Sequence, residues 1–383
     1  MKKVDILLAT YKPNIDYFIK LLISLNNQTY SNINIVVRDD SVFKDQYKLV
    51  VELLQTYVTK IKYTVYKNDY NIGSNLTFEH LTKDSTGDYI AYCDQDDIWD
   101  YQKIEKLVQN IEIENNVLSY SDLSIIDKND KLLANSFKDI HYRLNHLKGS
   151  QLFKYFLRRN CVTGCTMLIK SSVARNAIPF SKYYVHDHWL ALFASSVGQI
   201  GYIPEPLVLY RLHGDNQIGA KMLVEVNNKN DYYDKKLLYE KKRLLDLLKN
   251  NRFDDKYDSV ILNVLEWTEE RIEFFENKEN KIIIESLKRY GVKFEIVEKI
   301  NPNSTTKLAG KIFVVSGVFE KFSRDDLKKA IEENGGKIGS SISSKTDYVV
   351  AGENMGPAKL EKANQLKVTI ISEDDFIALL NQE

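Results

Sequence analysis

The sequence predicts an α/β protein with a doubly wound, mainly parallel sheet, followed by a second, smaller α/β domain. Short β-rich runs alternate with amphipathic helical stretches from the first residues onward, and parallel strands need such crossover connections. The first run, VDILLA, is apolar at nearly every position, which is typical of a strand buried on both faces. Near the C-terminus, the polar stretch NPNSTTK at 301–307 precedes a compact β-α-β-α-β-α pattern.

The first domain can be followed element by element. After VDILLA, residues 14–27 place apolar side chains at helical spacing, and Asn14 is suited to cap that helix. The runs INIVV, IKYTVY and DYIAYC repeat the strand pattern, and residues 117–137 predict a strand with an added hairpin. GSQLFKYFLRRN predicts a helix and CTMLIK a strand. Residues 221–290 are charged and helical, and we expect them to pack on the first domain or to bridge to the next one.

Composition limits the class of protein. The 383 residues contain 53 basic and 53 acidic side chains, which excludes the strongly basic surface of a dedicated nucleic-acid binder. Three cysteines are too few for a disulfide framework. No run of eighteen apolar residues occurs, and the N-terminus resembles a strand more than a signal peptide. We therefore expect a cytoplasmic protein, with a peripheral position at the inner face of the membrane left open.

Polar residues follow the predicted parallel strands, where a sheet of this kind binds ligands. They are Thr10 and Tyr11 after the first strand, Asp39 and Asp40 after the second, Asn68 and Asn71 after the third, and Asp94, Asp96 and Asp97 after the fourth. Neither GxGxxG nor GxxxxGK occurs, which disfavours a dinucleotide-binding protein or a P-loop nucleotidase. Clustered carboxylates repel one another unless a cation is present, so the pattern favours Mg²⁺ or Mn²⁺ with a diphosphate. The alternative is that they are solvated turn residues and helix caps.

Asp187 lies between His186 and His188, ahead of the apolar run WLALFAS. A carboxylate placed near a reacting carbon can act as a general base, but the same residue would also suit a helix N-terminus. A zinc site is disfavoured because no fourth ligand stands at a recognisable spacing. Arg211 and His213 follow another strand, from which they could reach a diphosphate or a metal; the alternative for His213 is a partly satisfied surface histidine.

An ordered set of motifs in the first 220 residues resembles the family 2 glycosyltransferases, which have the GT-A fold. The motifs are VDILLATY, QTYSNINIVVRDDS, NIGSN at 71–75, CDQDDIW at 93–99, VTGCTMLI at 162–169, HDHWLAL at 186–192 and PLVLYRLHGDNQIG at 206–219. The resemblance is to bacterial rhamnosyl- and polysaccharide-type transferases. It implies a metal-dependent, inverting transfer of a sugar from a nucleotide-diphosphate sugar to a saccharide or lipid-linked saccharide acceptor, in cell-surface polysaccharide biosynthesis.

The resemblance also implies roles for residues. Asp187 matches the catalytic base. The residues assigned to the nucleotide sugar are Thr10, Tyr11, Asp39, Asp40, Asn71, Gly73, Asp94, Gly164 and Arg211. The residues assigned to a Mg²⁺ or Mn²⁺ ion are Asp94, Asp96, Asp97 and His213, with Asp94 and Asp96 forming the DxD element.

Residues 308–383 resemble the BRCT domain at the C-terminus of bacterial NAD-dependent DNA ligases, on the basis of VVSGVFEKFSRDDLKKAIEENGGK and MGPAKLEKA. ESLKRYGVKFEIVEKI at 285–300 extends the match upstream. The resemblance makes Ser316, Gly317 and Lys359 candidates for weak binding of a phosphorylated ligand or DNA end; the alternative is an ordinary turn and a solvated helix face. A DNA-joining enzyme is disfavoured because three cysteines cannot supply its four-cysteine zinc element.

The predicted domains are a GT-A domain at 1–220, a helical extension and linker at 221–300 and a BRCT domain at 305–383. The leading hypothesis is a hexosyl- or rhamnosyltransferase. The alternative is a catalytically inactive scaffold that its BRCT domain recruits to phosphorylated partners or DNA ends.

Overall fold

The chain forms two compact units, Met1–Ile282 and Ile283–Glu383. The computed structural model describes residues 1–141, 144–212, 229–291 and 307–381, except for positions 309, 318, 320, 340, 344–345 and 354. The predicted domain limits at 220, 300 and 305 lie outside the described residues, and that division stays a prediction. Within the described part of the chain, no helix combines the length and apolar character needed to span a bilayer.

The N-terminal half of the first sheet is parallel, as predicted. Its strands are β1 (Val4–Thr10), β2 (Ile33–Asp39), β3 (Lys62–Lys67) and β4 (Tyr89–Cys93), in the order β3-β2-β1-β4. The crossovers contain α1 (Ile15–Asn26), α2 (Lys44–Tyr57) and α3 (Ser74–Asp84). The Asn14 side chain accepts hydrogen bonds from the first turn of α1, which confirms the predicted cap. Because these strands run in one direction, their carboxyl ends meet at one edge of the sheet.

The other half of this sheet mixes strand directions. Its elements are β5 (Ile98–Trp99), α4 (Lys103–Glu114), β6 (Leu118–Ile126), β7 (Leu132–Ala134), α5 (Phe137–Ile140), α6 (Phe153–Phe156), β8 (Met167–Lys170), α7 (Ser171–Asn176), α8 (His186–Val197) and β9 (Ile200–Arg211). Strand β8 lies antiparallel between β4 and β6, and β9 pairs parallel with β6 and antiparallel with β5. β7 confirms the predicted hairpin. The helix predicted within GSQLFKYFLRRN is shorter than that run, because only the single turn α6 forms there.

Charged helices follow β9 in the chain, and two of them pack on the core beside α8. They are α9 (Lys229–Tyr232), α10 (Tyr239–Lys249), α11 (Asp258–Glu276) and α12 (Lys278–Arg289), with a π-helical turn, Tyr233–Leu238, between α9 and α10. Leu244 and Leu247 of α10 and Ile261 of α11 lie in the same apolar core as Trp189. Helices α10 and α11 therefore stabilise α8, the helix that carries Asp187 in its first turn.

The second unit contains its own parallel sheet, in the order β11-β10-β12-β13. Its described elements are β10 (Ile312–Ser316), α13 (Arg324–Glu333), β11 (Lys337–Ile338), β12 (Tyr348–Ala351), α14 (Pro357–Gln365), β13 (Thr369–Ile371) and α15 (Glu373–Asn381). Phe313, Leu327 and Phe376 are fully buried in its core. Gly317 has φ 107, and a Cβ there would lie 2.5 Å from the carbonyl oxygen of Gly352, so both conformation and space require glycine.

We predict that Asp5→Ala destabilises the first unit by about 2 kcal/mol, because its buried carboxylate accepts hydrogen bonds from the backbone N–H groups of Thr86 and Gly87 at 2.6 and 2.7 Å. The free energy of unfolding should be measured in urea by tryptophan fluorescence, since all three tryptophans lie in the first unit. Glu52→Ala, on an exposed position of α2, is the control and should change little. Equal stability of the two variants would contradict this role for Asp5.

Candidate active site

Asp40, just after β2, fixes the loop that follows β3. Its Oδ1 accepts hydrogen bonds from the Asn68 side chain at 2.8 Å and from the N–H of Ile72 at 2.9 Å. Its Oδ2 accepts one from the N–H of Gly73 at 2.9 Å, and the Asn71 side chain reaches the Asp40 carbonyl oxygen at 3.4 Å. Both carboxylate oxygens of Asp40 therefore accept hydrogen bonds from within the protein. These bonds bring together Asp40, Asn71 and Gly73, three of the residues predicted to bind a nucleotide sugar.

The ends of β1 and β2 are joined by hydroxyl groups. Thr10 Oγ1 donates to Asp39 Oδ1 at 3.1 Å, and Ser41 donates to the other oxygen of the same carboxylate. Asp39 is fully buried, and burial raises its pKa although both hydroxyls oppose the shift. Next to them the ring of Tyr11 is exposed, while Gln95 holds the Tyr11 backbone by hydrogen bonds of 2.8 and 3.2 Å to its N–H and its carbonyl oxygen. This links β1 to the acidic loop after β4.

The acidic loop after β4 brings Asp94 and Asp97 together with Cys165, and the candidate ligand atoms of these three residues lie within 4.8 Å of one another. Burial, together with the neighbouring charges of Asp96 and Asp187, raises the pKa of Asp94 to about 7. Burial also holds the pKa of Asp97 well above its ordinary value. Asp96 is not a member of this group in the described residues.

Two buried cations support that loop. Lys103, at the start of α4, is fully buried; its ammonium donates to the Cys165 carbonyl oxygen and lies over the Trp99 ring, and burial lowers its pKa to about 7. Arg211, at the end of β9, is also fully buried. Its Nε donates to the Asp96 carbonyl oxygen at 2.9 Å, and its backbone N–H donates to Asp97 Oδ1 at 3.1 Å.

The described contacts of Arg211 thus support the acidic loop from within the fold, and its predicted contact with a donor diphosphate stays a prediction. His213, the predicted metal ligand two positions later, lies outside the described residues.

Asp187, in the first turn of α8, faces the acidic loop. Its Oδ2 accepts a hydrogen bond from the N–H of Gly164 at 3.1 Å, and its Oδ1 accepts one from the Asn160 side chain at 3.3 Å. Burial raises its pKa to about 6, against two backbone hydrogen bonds that lower it. A Cβ at Gly164 would lie 2.7 Å from His186 Nε2, so glycine is needed for this close approach. The carboxylate is held rigidly and ionises close to neutral pH.

The remaining predicted residues belong to the second unit. Ser316 is buried at the end of β10, Gly317 follows it, and Lys359 is exposed on α14. A phosphate contact by these residues stays a prediction.

The sequence interpretation did not identify Asn160, Gln95 and Lys103 as site residues. Gln95 lies inside the DQDD motif, so its position was an available signal. Lys103 and Asn160 lie in stretches of ordinary helical or loop composition, and only their long-range contacts with Cys165 and Asp187 reveal them.

A parallel β3-β2-β1-β4 half, an antiparallel insertion and an acidic loop at the carboxyl edge define the GT-A class of fold. Comparison with family models agrees: residues 5–176 match the model "Glycosyl transferase family 2", and residues 303–380 match the "BRCA1 C Terminus (BRCT) domain". Both resemblances that the motifs predicted are therefore confirmed, each by a family model over its own part of the chain.

Two curated relatives are DNA ligases, each of which matches about 110 residues of this chain. The DNA ligase of Flavobacterium johnsoniae is 72% identical over 111 residues, which are 29% of this chain and 17% of the ligase. That of Flavobacterium psychrophilum is 68% identical over 109 residues, or 28% of this chain and 16% of the ligase. The chain thus spans less than a fifth of these ligases.

Among solved structures, residues 1–349 of Staphylococcus aureus TarS in complex with UDP-GlcNAc align with TM-score 0.49 and 14% identity, covering 78% of each chain. Mannosyltransferase PcManGT from Pyrobaculum calidifontis, in complex with GDP-Man and Mn²⁺, aligns with TM-score 0.45 and 12% identity, covering 69% of each chain. Likeness at this level carries no conclusion about donor or metal.

We predict that Asp94→Asn gains stability relative to the wild type as pH rises. Folding raises the pKa of Asp94 from 3.8 to about 7, so the folded state retains a proton that the unfolded state releases. The stabilisation from Asp94 is present in full below pH 3.8 and is lost as pH rises through about 7. Urea unfolding in EDTA at pH 5 and pH 8 should show the difference between the two proteins moving in favour of the variant. A difference independent of pH would contradict the raised pKa.

Proposed function

We propose that the first unit is a metal-dependent, inverting glycosyltransferase that moves a hexosyl or rhamnosyl group from a nucleotide-diphosphate sugar to a saccharide or lipid-linked saccharide acceptor. The observation that carries the proposal is that Asp187 lies near enough to Asp94 for its charge to raise the pKa of Asp94, in a domain whose residues 5–176 match the family 2 glycosyltransferases. We assign the reaction to cell-surface polysaccharide biosynthesis at the cytoplasmic side of the membrane, following the motifs at 93–99 and 186–192.

The acidic loop fits a hard divalent cation. Asp94 and Asp97 offer carboxylate oxygens, the ligands that Mg²⁺ and Mn²⁺ prefer. In the described part of the chain, the buried Oδ2 of Asp97 has no hydrogen-bond donor other than the weak thiol of Cys165. We therefore assign the ion to Asp94 and Asp97, and keep Asp96 as a predicted ligand. When bound, such an ion offsets the negative charge of the departing nucleoside diphosphate.

The chain's own residues provide the proton acceptor. Transfer with inversion requires the acceptor hydroxyl to lose its proton during attack on the anomeric carbon, and Asp187 is the carboxylate assigned to receive it. With a pKa of about 6, Asp187 is ionised at neutral pH and more basic than an exposed aspartate. The N–H of Gly164 and the side chain of Asn160 orient its two oxygens, so the acceptor would meet a fixed base.

The family match at residues 303–380 favours a second candidate, in which the BRCT domain recruits the protein to phosphorylated partners or DNA ends. Ser316 and Gly317 at the end of β10, with Lys359 on α14, would be its ligand residues. Sugar-nucleotide turnover separates a scaffold from an enzyme, since a scaffold releases no nucleotide from any donor.

We predict that EDTA abolishes sugar transfer and that Mn²⁺ or Mg²⁺ restores it, since the clustered carboxylates need a cation to accept a diphosphate. Nucleotide release should be assayed with UDP-, dTDP- and GDP-sugars. Asp96→Ala should lose most activity and stay folded, because Asp96 is not part of the buried core. Full activity of this variant in chelator would contradict the metal assignment.

We predict that Asp187→Asn lowers kcat about 100-fold and leaves donor affinity within a few-fold, because the variant keeps the shape and removes the proton acceptor. In the wild type, kcat/KM should fall below about pH 6, where Asp187 becomes protonated. Steady-state kinetics from pH 5 to 8 and binding of a nucleoside diphosphate measure the two effects. A parallel collapse of donor binding would show that Asp187 serves the donor site instead.

A further inference from the structure

Five exposed apolar side chains lie in adjoining loops near the carboxyl edge of the parallel strands. A single exposed apolar residue is ordinary in a globular protein, whereas several in neighbouring loops mark a surface that contacts another molecule. The exposed fraction of each side chain is between 37% and 68%. We call them the edge patch: Val42 and Phe43 after β2, Tyr70 after β3, Leu76 in the first turn of α3 and Val185 just before α8.

Hydrogen bonds hold the loops of the edge patch together. The Lys67 ammonium, at the end of β3, donates to the carbonyl oxygen of Val42 at 3.5 Å. The Asn75 side chain donates to the carbonyl oxygen of Tyr184 at 3.2 Å, which brings the start of α3 close to the residues before α8. The carboxylate of Asp40 also holds the loop after β3. The five apolar side chains therefore belong to one connected region of the surface.

The charged side chains of this region are mainly basic. Lysine ammonium groups beside apolar side chains match a bilayer that contains acidic lipids, because its headgroup region offers phosphate groups next to acyl chains. The Lys12 ammonium lies 5.0 Å from the centre of the Phe43 ring, so a cation and an apolar group of this kind are adjacent. The charged residues of 41–45, 67–76 and 181–185, taken with Lys12, are the lysines Lys12, Lys44, Lys67 and Lys182 and the carboxylates Asp45 and Asp69.

We propose that the edge patch docks on a bilayer that contains anionic lipid, with its apolar side chains in the headgroup region and the neighbouring lysines on lipid phosphates. This deepens the proposed function and rests on it, because it commits that function to the lipid-linked class of acceptor. Val185 precedes the assigned base, Asp187, by two residues. Docking therefore brings the base close to the membrane surface, where a lipid-linked saccharide is held.

The test is sedimentation of the full chain with phosphatidylcholine vesicles, with and without phosphatidylglycerol, in the absence of nucleotide. Binding to the acidic vesicles should be about 10-fold tighter and should weaken with added NaCl. The double variant Tyr70→Ser/Leu76→Ser should lower this binding about 10-fold, because it removes apolar area that would enter the headgroup region. Lys44→Gln/Lys182→Gln should lower it by a similar factor and reduce its dependence on salt.

Matched double variants change the same kinds of side chain elsewhere in the first unit. Tyr101→Ser/Leu262→Ser removes a tyrosine and a leucine that are 55% and 50% exposed. Lys242→Gln/Lys249→Gln removes two exposed lysines of α10. Both variants should bind vesicles like the wild type. Urea midpoints from tryptophan fluorescence should show that all four double variants keep the stability of the first unit, since each changes exposed side chains.

Nucleotide release from UDP-, dTDP- and GDP-sugars, measured on the same samples, separates the failure of docking from the failure of the proposed function. If the wild type releases nucleotide but binds neither kind of vesicle, or if Tyr70→Ser/Leu76→Ser binds them unchanged, the docking surface is wrong and the transferase proposal stands. If vesicles bind through the edge patch but no donor releases nucleotide, the transferase proposal is overturned and the docking surface stands. If light scattering shows a wild-type dimer that this variant abolishes, without vesicle binding, the edge patch joins two copies of the chain and the bilayer proposal is overturned.

Discussion

The first unit depends on placing carboxylates of like charge in a space from which most water is excluded. Asp97 is fully buried, and the charges of Asp96 and Asp187 disfavour ionisation of Asp94. Each buried negative charge costs free energy unless hydrogen bonds or opposite charges compensate it. The surrounding elements supply such partners, which explains why residues distant in sequence converge at this edge of the sheet.

The groups that compensate these buried charges come from the mixed half of the sheet and not from the parallel strands β1 to β4. Arg211, at the end of β9, donates a hydrogen bond to the backbone of the acidic loop. Lys103, at the start of α4, donates one to the carbonyl oxygen of Cys165. Gly164 contributes a backbone N–H to Asp187 because the antiparallel strand β8, which follows it, lies directly against β4. The mixed half of the sheet is therefore what converts a row of strand-end carboxylates into a site with unequal pKa values.

The carboxylates of this site fall into two pairs that differ in their hydrogen-bond partners. Both carboxylate oxygens of Asp40 accept hydrogen bonds from the loop after β3. Both carboxylate oxygens of Asp39 accept hydrogen bonds from hydroxyl groups. Asp94 and Asp187 keep raised pKa values, which is the pattern expected where groups are held for binding or proton transfer. The first two give the edge its shape, and the last two are the carboxylates that we propose for metal binding and proton transfer.

The sequence by itself determined the parallel half of the sheet, its crossover helices and the position of DQDD at a strand end, because these follow from local periodicity and from residues adjacent in the chain. It also determined the small C-terminal α/β unit and, through its motifs, the two family resemblances that the family models confirm. Only the tertiary structure decided that β8 inserts antiparallel between β4 and β6, that the helix expected near 153 is a single turn, and that Asn160 and Lys103 support the site. Those outcomes depend on pairings between residues tens of positions apart, for which local composition carries no signal.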